Sequence, residues 1–189
     1  MAETFRAFVA VSLPEEVIGY LGKLIEDLAA QVPPRSVRWT QPDKMHLTLR
    51  FLGDTKKDLL QELQNALDSV TQARKPFSLQ LQGFGCFPNC RRPRVLWAGL
   101  GGNLDAAAGL KAAIDEAIVP FGWEREERPF SPHLTLGRVK DASRLDKQRW
   151  PETVEPLPIP VAAVHLVQSD LTPGGPIYTI RHTSTLRGL

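Results

Sequence analysis

The stretch Met45-His46-Leu47-Thr48-Leu49-Arg50 recurs later in the chain as Pro132-His133-Leu134-Thr135-Leu136-Gly137. Nearly half of the 189 residues separate the two histidines. Each copy follows a predicted helix and a short polar segment that contains proline. A repeat of this kind predicts two structurally similar halves, each presenting one His-x-Thr strand.

The alternation of side chains along a strand gives the repeat a geometric meaning. Residues two positions apart share one face of a strand and lie about 6.6 Å apart. His46 and Thr48 therefore point one way while the neighbouring leucines point the other, and the same holds for His133 and Thr135. If an approximate two-fold axis relates the halves, the two His/Thr pairs face each other across a cleft.

The chemistry open to such a pair is acid–base catalysis. Imidazole has an unperturbed pKa of about 6.5, so at neutral pH one ring can be neutral and another charged. Opening a cyclic phosphate needs both forms, because one group deprotonates water and another protonates the leaving ribose oxygen. Threonine hydroxyls can donate to the non-bridging phosphate oxygens. A purely structural repeat is the alternative interpretation of the same pattern.

Apolar residues at helical spacing predict three helices. The first is expected to begin near Ser12, with Glu15 answering Ser12 as a capping box. Asp54 or Thr55 is expected to cap the second helix. The third is expected to run from about Leu104 to Phe121.

Apolar alternation predicts eight strands, and their arrangement indicates the fold class. The region from Gly83 to Arg94 has the composition of a loop, Asp141 to Pro160 holds at most one short helix, and Thr172–Pro176 is expected to be a hairpin turn. Strands and helices do not alternate as in a doubly wound parallel sheet, which favours an α+β fold with largely antiparallel sheets. The predicted strands are Phe5–Val11, Val37–Trp39, Met45–Leu52, Phe77–Leu81, Val95–Leu100, His133–Val139, Val161–Leu171 and Ile177–Thr185.

Composition limits the classes of partner. The formal net charge is only +2, from 23 basic and 21 acidic residues, so charge alone does not hold a nucleic-acid duplex. A nucleic-acid partner is expected to be met locally, as a short segment or an end. No apolar run approaches the ~20 residues needed to span a bilayer. No targeting signal is visible at Met1–Arg6, so we expect no membrane partner and a cytoplasmic location.

Metal binding is not indicated by the sequence. Cys86 and Cys90 lack a second pair at zinc-ligand spacing, and two free thiols in a reduced cytosolic protein are expected. No His-x-His or Glu-x-x-His set is present. We therefore expect neither a metal nor another cofactor.

The two His-x-Thr stretches resemble the two-histidine phosphoesterase superfamily, which is defined by two His-x-Thr/Ser-x motifs. The chain is more closely similar to the bacterial and archaeal RNA 2′,3′-cyclic phosphodiesterases, also called 2′-5′ RNA ligases. The similarity covers nearly the whole chain. It extends over Arg6–Ala10, Leu13–Glu16, Val37–Trp39, His46–Gly53, Pro93–Gly99, Arg128–Leu136 and Leu171–Tyr178.

This resemblance implies a fold and a reaction. Residues 1–189 are expected to form a single domain of two interleaved, pseudo-symmetric lobes, with helices outside and the motifs facing a central cleft. The implied reaction hydrolyses a 2′,3′-cyclic phosphate to a 2′-phosphomonoester, with His46 protonating the 3′ oxygen and His133 activating water. With the proton roles exchanged, the same residues would join a cyclic end to a 5′-hydroxyl without ATP. The implied partners are RNA ends that carry a 2′,3′-cyclic phosphate, including those of tRNA fragments. The protein is expected to be a monomer.

The resemblance also implies substrate-binding residues, namely Thr48, Thr135 and Arg138. Arg138 lies five positions after His133, and strict alternation would turn it to the opposite face. A β-bulge at Gly137 would bring it back to the face of His133.

Other polar and aromatic residues are weaker candidates. Arg50 shares a face with His46 and Thr48 by alternation, yet the resemblance does not require an arginine there. Structural or solvent-edge roles are expected for the remaining histidines, His165 and His182. The basic loop Arg91–Arg94 is expected to be a solvated loop, with guidance of an RNA strand toward the cleft as the alternative. The aromatics near the motifs, one of which could stack on a base, are Phe8, Trp39, Phe130 and Tyr178.

Two rival functions remain open from the sequence. One is a relative that acts on a different phosphodiester, such as a 2′-5′-linked oligoadenylate or an ADP-ribose cyclic phosphate. The other is an RNA-end-binding module without turnover. A substrate panel separates the first from the expected function, and a turnover assay separates the second.

Overall fold

Two antiparallel β-sheets and three α-helices make up the structure, a computed structural model that describes residues 3–145 and 148–188. The structure does not describe Met1, Ala2, Asp146, Lys147 and Leu189. Two of these, Asp146 and Lys147, belong to the segment from Asp141 to Pro160, for which at most one short helix is predicted. The α+β prediction is confirmed. The helices are α1 (Glu15–Gln31), α2 (Leu60–Gln72) and α3 (Leu104–Ile118). The strands are β1 (Thr4–Ser12), β2 (Val37–Trp39), β3 (His46–Lys56), β4 (Phe77–Phe87), β5 (Val95–Gly102), β6 (His133–Val139), β7 (Pro158–Val161), β8 (Ala163–Thr172) and β9 (Gly175–Thr185).

The two motif strands lie in different sheets. The first sheet has the order β3-β1-β8-β9, and the second has the order β2-β6-β5-β4-β7. Strands β8 and β9 come last in the chain but complete the first sheet, which therefore combines strands from both ends of the sequence. His46 begins β3 and His133 begins β6, which gives both motifs the same position at the start of a strand.

The motif leucines anchor both strands in the core, as alternation predicts. Leu47, Leu49, Leu134 and Leu136 are all buried. Burying a leucine side chain contributes about 1.5–3 kcal/mol, so these four residues fix the face that each strand turns inward. The opposite face is thereby left to the histidines and threonines.

The first helix begins differently from the prediction. Pro14 is its N-cap, and no side chain caps the helix, so the expected capping box of Ser12 and Glu15 is wrong. Ser12 is instead the last residue of β1, where it pairs with His46. Glu15 and Glu16 lie in the first turn, where their negative charges stabilise the helix by interacting with the positive end of its dipole.

The second helix also begins later than predicted. Strand β3 continues to Lys56, which pairs with Thr4 of β1, so Asp54 and Thr55 are strand residues and not caps. The Thr55 hydroxyl donates to the Gly53 carbonyl. A short 3₁₀ turn, Lys57–Leu59, then leads into α2.

The first part of the predicted loop from Gly83 to Arg94 is strand, since β4 continues to Phe87. A β-bulge between Leu81 and Phe84, where Gly83 takes a φ of +75°, lets β4 continue to Phe87. The turn that follows holds a Cys86–Cys90 disulfide with a Cα–Cα distance of 5.0 Å. The prediction of two free thiols is therefore wrong, because the turn brings the two cysteines within disulfide range.

The remaining boundaries lie close to prediction. A 3₁₀ turn follows α3 and ends at Gly122, whose φ is +101°. The β8–β9 hairpin closes where Thr172 pairs with Gly175. Strand β7, which pairs with β4, was not predicted, since its proline-rich sequence has the composition of a loop. No helix among the described residues is long and apolar enough to cross a membrane.

Candidate active site

A cleft of about 1200 Å³ lies between the two sheets, and it is lined from both of them. His46 and Thr48 reach it from β3, and His133 and Thr135 reach it from β6. The two motif strands also lie against each other. The structure therefore brings together the four motif side chains that the repeat predicts.

Both histidines are held in the same way. The Nδ1 atom of His46 lies 3.0 Å from the carbonyl oxygen of Lys44, and that of His133 lies 2.7 Å from the carbonyl oxygen of Ser131. A carbonyl oxygen can only accept a hydrogen bond, so Nδ1 carries the proton in each neutral ring. This arrangement leaves Nε2 of each ring to exchange protons with a substrate.

His46 is enclosed by aromatic rings. Phe8 stacks on it with a centroid distance of 4.6 Å, and Tyr178 meets it edge-on at 5.3 Å. Burial lowers the pKa of His46, and the hydrogen bond to the Lys44 carbonyl opposes part of that shift. The cause is the loss of water around the charged imidazolium. Without an anion nearby, His46 therefore favours its neutral form.

His133 stands in a more open aromatic corner. Phe87 meets it edge-on at 5.0 Å, and Trp97 lies tilted at 6.2 Å. The indole of Trp97 occupies the space where a side chain at Gly85 would begin. A residue larger than glycine at that position would displace the Trp97 ring, which lies beside His133.

A β-bulge returns Arg138 to the face of β6 that carries His133 and Thr135. Trp97 pairs with Thr135, and Leu96 pairs with Gly137, so Leu136 has no partner of its own on β5. The extra residue restores the side-chain alternation that five positions would have broken. Arg138 lines the cleft together with His133 and Thr135, as predicted for a bulge at this point.

A second bulge removes Arg50 from the motif face. Thr48 pairs with Ala10, but Arg50 pairs with the next residue of β1, Val9. Arg50 Nη1 lies 3.5 Å from Asp115 Oδ1 on α3, and Nη2 donates to the Glu124 carbonyl. The expectation that Arg50 shares the face of His46 and Thr48 is wrong. The guanidinium instead ties β3 to α3 at the cleft border.

The sequence matches the family model of LigT-like phosphoesterases over residues 11–97 and 102–178. The chain belongs to this family. Those two matched segments contain both His-x-Thr motifs and the strands that carry them.

Individual LigT-like relatives match over nearly their full length. A Methanothermobacter thermautotrophicus protein named RNA 2′,3′-cyclic phosphodiesterase is 35% identical, over 92% of this chain and 95% of that protein. A Thermus thermophilus protein of the same name is 36% identical, over 97% and 91%. The crystal structure of Escherichia coli LigT complexed with 3′-AMP superposes with a TM-score of 0.80 at 26% identity, covering 97% of this chain and 99% of that one.

The LigT-like cleft of this protein also contains aromatic and apolar residues that the sequence did not single out. Phe51 is 69% exposed and Leu171 is 66% exposed, and both line the cleft. Alternation from His46 would have placed Phe51 in the core. The bulge before Arg50 turns it outward, and no pattern in the sequence signals that bulge.

The aromatics singled out from the sequence divide into two groups. All four line the cleft, but Phe8 and Tyr178 pack against His46 and against each other. Their rings therefore shape the histidine pocket. Trp39 and Phe130 are only partly buried at the cleft wall.

The residues expected to have structural or solvent-edge roles make hydrogen bonds of their own. His165 Nδ1 lies 3.0 Å from the Thr183 hydroxyl, and His182 Nε2 lies 2.8 Å from Asp68. In the basic loop, Asn89 accepts from the backbone N–H groups of Arg91 and Arg92. Within residues 3–145 and 148–188, no group of three or more His, Cys, Asp or Glu residues is arranged to hold a metal ion.

Proposed function

We propose that this protein hydrolyses RNA 2′,3′-cyclic phosphate ends to 2′-phosphomonoesters, with His46 as proton donor and His133 as proton acceptor. The observation that carries the proposal is the matched pair of imidazoles. Each has Nδ1 bound to a backbone carbonyl, and each lines one shared cleft beside a threonine. Relatives with the name of this activity, at 35% and 36% identity, support the choice of substrate class.

The proposed reaction is a single displacement at phosphorus. His133 Nε2 takes a proton from water as the water oxygen attacks the phosphorus atom. The bond from phosphorus to the 3′ oxygen breaks, and the Nε2–H of His46 protonates that oxygen. The phosphate stays on the 2′ oxygen, His46 ends neutral and His133 ends protonated. Exchange with solvent resets both rings.

The protonation of His46 depends on the substrate. Burial lowers the pKa of His46 in the free protein, which disfavours the charged form that an acid needs. A cyclic phosphate carries a negative charge, and an opposite charge a few ångströms away favours the imidazolium. Substrate binding therefore raises the fraction of His46 that is protonated and able to act as the acid. A ring with a low intrinsic pKa also releases its proton readily to the leaving oxygen.

Thr48, Thr135 and Arg138 are proposed to bind the reacting phosphate. Each threonine lies two residues after its histidine, on the same face of the strand. Their hydroxyls can donate to the non-bridging oxygens, where negative charge persists through the transition state. Arg138 supplies a positive charge from the same cleft.

The remaining features of the proposal concern scope. Both halves of one copy supply the cleft, which supports a single domain acting as a monomer. A 5′-hydroxyl in place of water would give ATP-independent 2′-5′ ligation. The proton roles would stay the same and would not be exchanged, because His133 would deprotonate the 5′-hydroxyl and His46 would still protonate the leaving 3′ oxygen. RNA ends such as tRNA fragments are the proposed substrates, and the cytoplasm is the proposed location. Because Cys86 and Cys90 form a disulfide, the expected free thiols do not support a cytoplasmic location.

A substrate panel tests the proposal. A short RNA with a 2′,3′-cyclic phosphate end, a 2′-5′-linked oligoadenylate and an ADP-ribose cyclic phosphate are each incubated with the protein and with His133→Asn. The cyclic RNA end is expected to turn over fastest, and only with the wild-type protein. Preference for either rival substrate, or binding of the RNA without turnover, would replace this function with one of the alternatives.

A further inference from the structure

Two arginines lie side by side at the edge of the second sheet. Arg38 on β2 is the direct cross-strand partner of Arg138 on β6, and both line the cleft. Like charges directly opposite each other on a sheet are destabilising. The pair is therefore a feature that folding alone does not explain.

A third cation joins them at the β8–β9 turn. A Cβ atom placed on Gly175 would lie 3.9 Å from Arg38 Nη2 and 3.9 Å from Lys44 Nζ. Both positive groups thus converge on one side of the same turn. Gly175 is buried, with a φ of +117°, a conformation that only glycine adopts readily. The turn and the two cations form one compact site.

Positive charge is concentrated at this site. Among residues 3–145 and 148–188, the ion pairs involve none of Arg38, Lys44 and Arg138. The charges of Arg138 and Arg38 also reach the Tyr178 hydroxyl, where they oppose the effect of burial, which raises the pKa of that group. Tyr178 in turn contacts the ring of His46 edge-on, so these cations lie close to the part of the cleft that holds His46.

Arg138 and its cross-strand neighbour Arg38 lie further along the sheet than His133. Strand β5 pairs with β6 from Gly99 opposite His133 to Val95 opposite Arg138. Four residues of strand span about 13 Å, so the backbone of Arg138 is far from His133. Arg138 can extend its side chain back toward the motifs. Arg38 lies on the neighbouring outer strand, and its guanidinium approaches Lys44 Nζ at Gly175 of the β8–β9 turn.

We propose that Arg38 and Lys44 form a second anion subsite, which binds the phosphate on the 5′ side of the terminal nucleotide. The inference rests on the proposed function, since the RNA strand supplies this phosphate next to the cyclic one. Arginine can donate two parallel hydrogen bonds to a phosphate, and lysine adds a point charge. The subsite makes an oligonucleotide end a better substrate than a nucleoside cyclic phosphate.

The test compares two substrates that differ by one phosphate. One is adenosine 2′,3′-cyclic phosphate, and the other carries an additional 5′-phosphate methyl ester, which mimics the diester of a strand. The measured quantity is the ratio of their kcat/KM values. The wild-type protein is expected to prefer the second substrate by about tenfold, the size of one charge-assisted hydrogen bond at a partly exposed site. Arg38→Gln and Lys44→Gln are each expected to lower the preference at least threefold.

Arg91→Gln is the matched control, because it removes the same charge from an exposed loop that does not line the cleft. Its ratio is expected to equal that of the wild type. An equal loss on both substrates in Arg38→Gln and Lys44→Gln would assign these residues to the reacting phosphate. Wild-type kcat/KM values on both substrates in these variants would make the two residues solvated charges. Either result overturns the subsite.

A binding measurement keeps the subsite testable if the protein turns over neither substrate. Calorimetric titration compares adenosine 3′-monophosphate with adenosine 3′,5′-bisphosphate. About tenfold tighter binding of the bisphosphate, lost in the double variant Arg38→Gln/Lys44→Gln, supports the subsite even where the proposed reaction fails. Equal affinities for the two nucleotides would refute it.

Discussion

Replacing His46 with asparagine separates its chemistry from its place in the fold. The asparagine amide can still donate to the Lys44 carbonyl, which the imidazole Nδ1 contacts at 3.0 Å. It has no group at the position of Nε2, so the proposed acid is lost. General acid–base catalysis by one group is worth about 10²–10⁴-fold, which corresponds to about 2.7–5.5 kcal/mol of transition-state stabilisation. We expect kcat/KM on a cyclic RNA end to fall by that factor.

The same variant loses two aromatic contacts. The ring of His46 stacks on Phe8 at 4.6 Å and meets Tyr178 at 5.3 Å. Each such pair is worth about 0.5–1.5 kcal/mol, so the free energy of unfolding should fall by about 1–3 kcal/mol. For a chain of this size, 1 kcal/mol shifts Tm by about 2–4 °C. The variant is expected to melt about 2–12 °C earlier and to remain folded at assay temperature.

Phe8→Leu is the control for this prediction. It breaks the same stacked contact but leaves the imidazole in place, so its Tm should fall comparably while kcat/KM stays within about tenfold of the wild type. Thermal melting and steady-state kinetics on both variants decide the point. A folded His46→Asn protein with kcat/KM within a few-fold of wild type would refute the role of His46 as the acid.

Three further outcomes follow from the paired imidazoles. His133→Asn should lose activity to a similar degree, and the double variant should be far less than multiplicatively worse, because the two groups act as a unit; independent multiplicative losses would contradict the pairing. Excess chelator should leave the rate unchanged, since the two rings supply both proton transfers, whereas loss restored by added zinc or magnesium would show a metal requirement. The pH profile of kcat/KM should be bell-shaped, with two apparent constants that belong to the pair. Because burial lowers the pKa of His46 in the free protein, the lower constant should lie below the ordinary imidazole value of about 6.5; a lower constant above that value would contradict the pocket described for His46.

The sequence predicts the parts of the fold that depend on short-range patterns. Alternation identifies the buried leucines of both motif strands, and the repeat places the two histidines at the start of strands in different sheets. The hairpin at Thr172–Pro176 follows from its glycine and proline content. These features are local, and each is encoded within a few residues.

Bulges and long-range pairing account for what the sequence misses. The bulge before Arg50 turns that side chain toward Asp115 and turns Phe51 outward, and its cause is the pairing of β3 with β1. A bulge at Gly137 is predicted only because the family resemblance requires Arg138 in the cleft, and the structure has it one residue earlier, with Leu136 as the unpaired residue. Cys86 and Cys90 meet because β4 continues past its apparent end. The two bulges depend on partner strands distant in sequence, and the extension of β4 depends on its pairing with the next strand, β5.

The position of the phosphate on the product is the most direct test of the central claim. A short RNA ending in a 2′,3′-cyclic phosphate is incubated with the wild-type protein, with His46→Asn and with His133→Asn, and the products are mapped by phosphatase treatment and position-specific chemistry. We predict a 2′-phosphomonoester from the wild type and almost none from either variant, because His46 protonates the 3′ oxygen while His133 activates water on the opposite side. The matching DNA end, which lacks the 2′ oxygen, cannot form the substrate. A 3′-phosphomonoester would mean that the acid and base are assigned the wrong way round, and no turnover by the folded wild-type protein would contradict the proposed activity itself.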